Sequence, residues 1–171
     1  DIFNALEPKA IEKHLQFNIV EKFDKGLLLL GDKIRTYQFL LNFAANAIKF
    51  TNVGGVKITV STKQERKEEI FIIFQIQDSG IGIAKNKIST VFERFEQADV
   101  SIKSKFGGTG LGLSISKKII ELMRGTIAVK SKVNKGTTFT LTIPYKIASA
   151  TNELHADATA IDTAALNDKI I

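Results

Sequence analysis

From Ile70 to Gln77 the chain alternates with period two, and it runs without a break into Asp78-Ser79-Gly80-Ile81-Gly82-Ile83. A strand of this pattern must set its apolar face against a core, and the same parity carries Asp78 onto the side of Ile72, Phe74 and Ile76. Val56-Lys57-Ile58-Thr59-Val60 also alternates, and the charged stretch Lys63 to Glu69 reads as the turn joining the two strands. Further on, Thr126 to Lys130 and Thr137 to Ile143 read as a second strand pair in which Thr137, Phe139, Leu141 and Ile143 share one face. Leu15 to Ile19 and Leu27 to Leu30 are shorter strand candidates. Helices are expected from Ile2 to about Lys13, from an N-cap at Asp32 to about Lys49, around Asn86 to Phe92, and from Leu113 to Met123. In the second of these, Ile34, Tyr37, Leu41, Ala45 and Ile48 make the expected apolar stripe. The fold class that follows is α+β: a two-layer α/β sandwich with a mixed, mostly antiparallel sheet of about five strands and about three helices on one face.

Composition narrows the chemistry. The 171 residues are enough for one ordinary domain with a real core. There is no cysteine, which excludes disulfides, zinc-thiolate sites and thiol catalysis, and His14 and His155 are too few for a histidine metal cage. No run approaches the ~18 apolar residues of a membrane helix, and the N-terminus lacks a signal-peptide pattern. The net charge is +6, but residues 148–171 hold four acids against Lys169, so residues 1–147 carry +9. Such an excess favours anionic partners without choosing among them. The lysines at positions 9, 13, 63, 67, 85, 87, 103 and 105 are scattered and not interleaved with aromatics, which reads, for most of them, as a solvated basic surface and not a nucleic-acid site. Ala148 to Asp168 is rich in Ala and Thr and reads as a linker, after which Leu166 to Ile171 regains apolar character like the opening of another element.

Four features carry chemistry. Asn42, Asn46 and Lys49 fall at i, i+4 and i+7 on one helix face. An asparagine oxygen is a neutral hard ligand suited to Mg²⁺, and a lysine one turn on is a phosphate counter-charge; a polar solvent face is the competing reading. Asp78 on a buried face needs a donor, which the exocyclic amine of adenine would supply, the alternative being a plain Asp-Ser-Gly turn. Thr137 looks inward from its own strand, a common placement whose interest lies in its pairing with Asp78. Lastly, Phe106-Gly107-Gly108-Thr109-Gly110-Leu111-Gly112-Leu113-Ser114 holds four glycines in six residues ahead of a helix. Such a loop brings backbone N–H groups close to a phosphate and adds a helix N-terminus. A Walker loop would need Lys at Leu113, and a dinucleotide fingerprint would need a preceding strand and glycine there. A phosphate-cradling lid of another type remains.

Taken in order, these motifs closely resemble the ATP-binding catalytic domain of sensor histidine kinases. That family lies within the GHKL superfamily, with the gyrase, heat-shock chaperone and mismatch-repair ATPases. Leu40 to Thr51 resembles its asparagine box, Asp78 to Ile83 its first glycine box, Phe92 to Gln97 its phenylalanine box and Gly107 to Gly112 its second glycine box. The resemblance implies a Bergerat-type ATP-binding fold over residues 1–147, with ATP and Mg²⁺ as cofactors. Asn42 would ligate Mg²⁺, and Asn46 and Lys49 would contact phosphates or sugar, which makes Asn42 and Lys49 the catalytic pair. Asp78 would bond the adenine amine, with Thr137 helping through water. Gly80, Gly82 and Ile83 would shape the adenine pocket and lid hinge. Lys105, Gly108, Thr109, Gly110, Leu111 and Gly112 would cover the triphosphate, with Phe92 and Phe95 anchoring the lid. Ser104 stands where the family often has Arg, with Lys103 beside it.

The implied function is donation of the γ-phosphate to a histidine on a separate dimerisation domain in two-component signal transduction. The helical hairpin that carries this acceptor is missing from the sequence, and His14 and His155 both read as ordinary residues. The expected partners are the nucleotide, the acceptor domain of the same kinase and, from Leu166 to Ile171, a following receiver domain, with no nucleic acid. The expected location is cytoplasmic, within a parent open to membrane anchoring. A nucleotide-sensing pseudo-kinase module and a gyrase- or chaperone-like ATPase are the competing classes.

Overall fold

A computed structural model describes residues 2–23, 26–66, 69–93, 110–148 and 160–162 of the chain. The elements are α1 (Ile2–Glu12), β1 (Gln16–Lys22), β2 (Leu28–Leu30), α2 (Lys33–Phe50), β3 (Gly55–Arg66), β4 (Glu69–Asp78), α3 (Gly112–Leu122), β5 (Thr126–Lys132), β6 (Gly136–Ile147) and β7 (Ala160–Asp162). The expected two-layer α+β sandwich is observed, with three α-helices among the described residues. The sheet has five longer strands and two of three residues, in the order β1-β3-β4-β6-β2-β7, with β5 also on β6. Among the described residues only β1 and β3 pair in parallel, through a connection that contains α2; the other pairs are antiparallel. β6 is long enough to hold β5 along Gly136–Thr142 and β2 at Lys146 and Ile147.

Period-two alternation is realised where the core needs it. Ile70, Ile72, Phe74, Ile76 and Asp78 of β4 are buried, as are Thr137, Phe139, Leu141, Ile143 and Tyr145 of β6. Ile76 stands opposite both Ile58 of β3 and Phe139 of β6, so these rows form one apolar face under the helices. Asp32 caps α2 as expected, its carboxylate accepting from the Arg35 amide at 2.9 Å.

Several local expectations shift. The apolar stripe of α2 is Phe39, Leu40, Phe43, Ala44, Ala47 and Ile48; Ile34 is 78% exposed and Tyr37 37%. Both stripes have helical spacing, but the observed one carries two phenylalanines that fill the sheet's aromatic row. Phe39 meets Phe74 edge-on at 6.0 Å, and Phe43 meets Phe139 at 5.0 Å. The turn after β3 is shorter than Lys63 to Glu69, because β3 continues to Arg66 through an irregularity between Gln64 and Arg66. Around Asn86 only a 3₁₀ turn, Lys85–Lys87, forms, with further turns up to Phe92. Within the stretch read as linker, Ala160–Asp162 pairs antiparallel with Leu28–Leu30.

α1 ends in a Schellman turn. The Leu15 amide donates to Ala10 O and the His14 amide to Ile11 O, both at 2.9 Å, with His14 at φ 54°. A left-handed residue with a Cβ is strained there, and His14 is exposed. Replacing it with glycine should raise stability by about 1 kcal/mol, read as a higher urea midpoint at unchanged slope.

Candidate functional site

Asp78 closes β4 on the buried face, 8% exposed, and one of its oxygens is fully engaged. Oδ1 accepts from the Gly80 amide at 2.8 Å and from the Thr137 amide at 3.2 Å. Among the described residues Oδ2 has no hydrogen-bond partner. Burial pushes the Asp78 carboxyl above its ordinary range, and the two amide bonds only partly oppose this. The chain has therefore desolvated a carboxylate, fixed its orientation and left one acceptor over, a geometry suited to a ligand's N–H group.

The loop after Asp78 is fixed from both sides. The Ile81 amide donates to Phe50 O at the end of α2 (3.2 Å), and Ile81 O accepts from the Asn134 amide in the β5–β6 turn (2.8 Å). Gly82 adopts φ 69° with its Cα against the Lys132 carbonyl, where a Cβ would not fit. The Ile83 amide donates to Ser131 Oγ at 2.7 Å, and Ser131 Oγ lies 2.9 Å from Thr137 Oγ1 and donates to Gly136 O at 3.0 Å. Gly80 and Thr137 thus meet Asp78 directly, while Gly82 packs on Lys132 and Ile83 is joined to Thr137 through Ser131. Ser131 was missed. Its signal was the inward parity it shares with Ile127 and Val129, placing a hydroxyl opposite Thr137 across the hairpin.

The α2 wall is built from its C-terminal half. Because Phe50 O holds Ile81, the Asp78 loop meets the end of the helix that carries Asn42, Asn46 and Lys49. All three lie off the buried stripe and are half-buried. Asn42 Nδ2 donates to Ser116 Oγ of α3 at 2.8 Å, and its Oδ1 lies against Gly112. The Lys49 ammonium stands 5.0 Å over the Phe50 ring. Leu111 precedes α3 without a side-chain cap, so among the described residues the N-terminus of the helix, beside Asn42, has no side chain on its first amides. Phe92 packs edge-on to Phe139 at 6.2 Å, with the Lys117 ammonium 5.8 Å from its ring. Gly112 therefore adjoins the α2 wall, with Gly110 and Leu111 just before it in the chain, whereas Phe95, Lys105, Gly108 and Thr109 lie outside the described residues. Among the described residues no cluster of His, Cys, Asp or Glu could hold a metal ion, so a metal here would rely on Asn42 and on the ligand's own oxygens.

Residues 31–147 match the model of the histidine kinase-, DNA gyrase B- and HSP90-like ATPases. The chain belongs to this family. It is 38% identical over 151 residues to the autoinducer 2 sensor kinase/phosphatase LuxQ of Vibrio vulnificus, covering 85% of this chain and 18% of that protein. It is likewise 38% identical over 143 residues to the sensor histidine kinase GacS of Pseudomonas protegens, covering 84% of this chain and 16% of that one. The chain thus spans less than a fifth of the length of these relatives. Its fold matches full-length ShkA, solved in complex with AMPPNP, at a TM-score of 0.71 and 31% identity, covering 87% of this chain and 29% of that one. It also matches the nucleotide-free catalytic domain of histidine kinase ThkA at a TM-score of 0.62 and 28% identity, covering 84% and 87%.

This histidine kinase ATPase domain has no helix, among the described residues, long and apolar enough to cross a membrane. One lysine stands apart from the solvated basic surface expected for most of them: Lys13 donates to Ile48 O, Lys49 O and Thr51 O at 2.7–2.8 Å. No local pattern reveals this, because its partners lie 35 to 38 residues away.

Because burial raises the Asp78 pKa, the ionised form burdens the fold, fully above the raised pKa and not at all well below the ordinary 3.8. Asp78→Asn keeps an oxygen for the two amides and removes the charge. Its stability relative to the parent should be highest at neutral pH and should converge on the parent's as pH falls toward 3.8, read by urea denaturation at several pH values.

Proposed function

We propose that this domain binds Mg·ATP among the Asp78 loop, α2 and the start of α3, and donates the γ-phosphate to a histidine on a separate dimerisation domain in two-component signalling. The observation that carries the reading is Asp78: a buried carboxylate with one oxygen held by two backbone amides and the other left over for an adenine amine. Thr137, held by Ser131, would complete the purine side through water, and Gly80, Gly82 and Ile83 would give the ring its shape. Asn46 and Lys49 would take phosphates or sugar. The uncapped start of α3, with Gly110, Leu111 and Gly112, suits the phosphate tail, and we extend the cover to Lys105, Gly108 and Thr109, with Phe92 and Phe95 as anchors.

Asn42 fits Mg²⁺ by its chemistry. Its amide is oriented by Ser116, and its oxygen lies beside a glycine and not behind a side chain. The bound ion would neutralise phosphate charge during transfer. The chain's part is then positioning: Asp78 reads the base, while Asn42 and Lys49 orient the tail, since phosphoryl transfer asks little covalent work of the protein. We take residues 1–147 as the domain, with Ala160–Asp162 adding a strand to its sheet, and the rest of 148–171 as a linker that opens toward a receiver domain; the family match ends at residue 147. A cytoplasmic setting, where ATP is supplied, goes with this reading.

Titration with a fluorescent ATP analogue, with and without Mg²⁺, should give magnesium-dependent binding. Asn42→Ala should weaken it about 10- to 100-fold, and Asp78→Asn should weaken it comparably, Mg²⁺ or not. Incubation with labelled ATP and a supplied acceptor hairpin should label the hairpin's histidine. Binding without transfer would leave a nucleotide-sensing module, and rapid hydrolysis by the isolated domain would point to a gyrase- or chaperone-like ATPase.

A further inference from the structure

The last turn of α2 leaves carbonyl groups that no further helical amide can satisfy. Each has a partner. Ala47 O accepts from Thr51 Oγ1 at 2.7 Å, and Phe50 O accepts from the Ile81 amide at 3.2 Å. Ile48 O and Lys49 O, between them, both accept from the Lys13 ammonium at 2.8 Å, and its third proton goes to Thr51 O at 2.7 Å. An ammonium has three donors, and all three are used here, at the negative end of the helix dipole.

Lys13 therefore grips Lys49 and Thr51, the two residues flanking the carbonyl that holds Ile81. Ile81 lies three residues beyond Asp78, and Gly80 packs so closely on the Phe50 carbonyl that no Cβ would fit. A short, continuous path runs from the ammonium through α2's last turn to the Asp78 loop. The same turn carries Lys49, with Asn46 just ahead of it. Burial lowers the Lys13 pKa from its ordinary value.

We propose that Lys13 is a positioning residue for the nucleotide site: it locks the last turn of α2, so that the phosphate-side residues on the helix and the purine-side loop keep one register. The inference rests on the Mg·ATP reading above. Lys13 touches no nucleotide. It acts through Phe50 O and the Ile81 amide, and its loss lets the two walls of the site move apart.

Two variants and a control test this. Lys13→Met removes the donors and keeps the stem, and Lys13→Arg keeps a multidentate cation. Leu6→Ala, in the buried face of α1, destabilises the same helix without touching α2's carbonyls. The readouts are Kd for the fluorescent Mg·ATP analogue, the urea midpoint, and amide hydrogen exchange at Ile81. Lys13→Met should raise Kd on the order of tenfold and speed Ile81 exchange. Lys13→Arg should recover most of both, and Leu6→Ala should lose stability while Kd stays near the parental value. The inference is overturned if Lys13→Met leaves Kd and Ile81 exchange unchanged, or if Leu6→Ala, at matched stability, raises Kd as much. Failure of the parent chain to bind Mg·ATP would strike the functional reading instead, and Ile81 exchange in Lys13→Met against Leu6→Ala would then decide the Lys13 inference by itself.

Discussion

A carboxylate buried at the end of a central strand is the constraint around which this molecule is arranged. Asp78 sits between β3 and β6 on the core face, where an ionised oxygen without donors would be intolerable. Two backbone amides, from Gly80 and Thr137, make it tolerable, and each demands a particular backbone course. The chain must reverse at Gly80, and β6 must begin level with the end of β4. Gly136, at φ 96° and packed on the Asp78 carbonyl, is where that second demand is met. A loop thereby becomes as well defined as the strands on either side of it.

The second organising contact is the C-terminus of α2. A helix end is a row of unsatisfied acceptors, and here three different parts of the chain satisfy it: Thr51 locally, Lys13 from the end of α1, and Ile81 from the loop after β4. The helix layer and the sheet's functional edge are joined at this point by hydrogen bonds, in addition to the apolar packing of Phe39 and Phe43 beneath. On the other side of α2, Asn42 reaches Ser116, and the start of α3 is brought to the same wall. Separate motifs in the sequence thus meet along α2, the loop after Asp78 at Phe50 and Gly112 at Asn42.

Much of this could be read from one dimension because the signals are periodic or local. Parity placed Asp78 and Thr137 on the core face, and the Asp32 cap marked where α2 begins. Parity also held the clue to Ser131, but a serine between two lysines at a strand's end is equally common on a solvated face. The stripe expected on α2 failed in part, for a different reason: Ile48 is core and Leu41 and Ala45 pack beside it, but Ile34 and Tyr37 face out. Ile34 and Tyr37 have helical spacing as good as that of Phe39 and Phe43, and spacing alone cannot tell which stripe meets the sheet. Lys13 was illegible, since nothing near it in the chain announces a bond to the far end of another helix.

The order and spacing of the residues determined the elements, the buried carboxylate and the family, because alternation, capping and glycine placement act over a few residues. The tertiary structure alone decided which face of α2 is core, that Ala160–Asp162 adds a strand beside β2, and that Ser131, Ser116 and Lys13 hold the site's parts together. These outcomes depend on contacts between segments far apart in the chain, where many partners satisfy the same local preference and only simultaneous packing selects one.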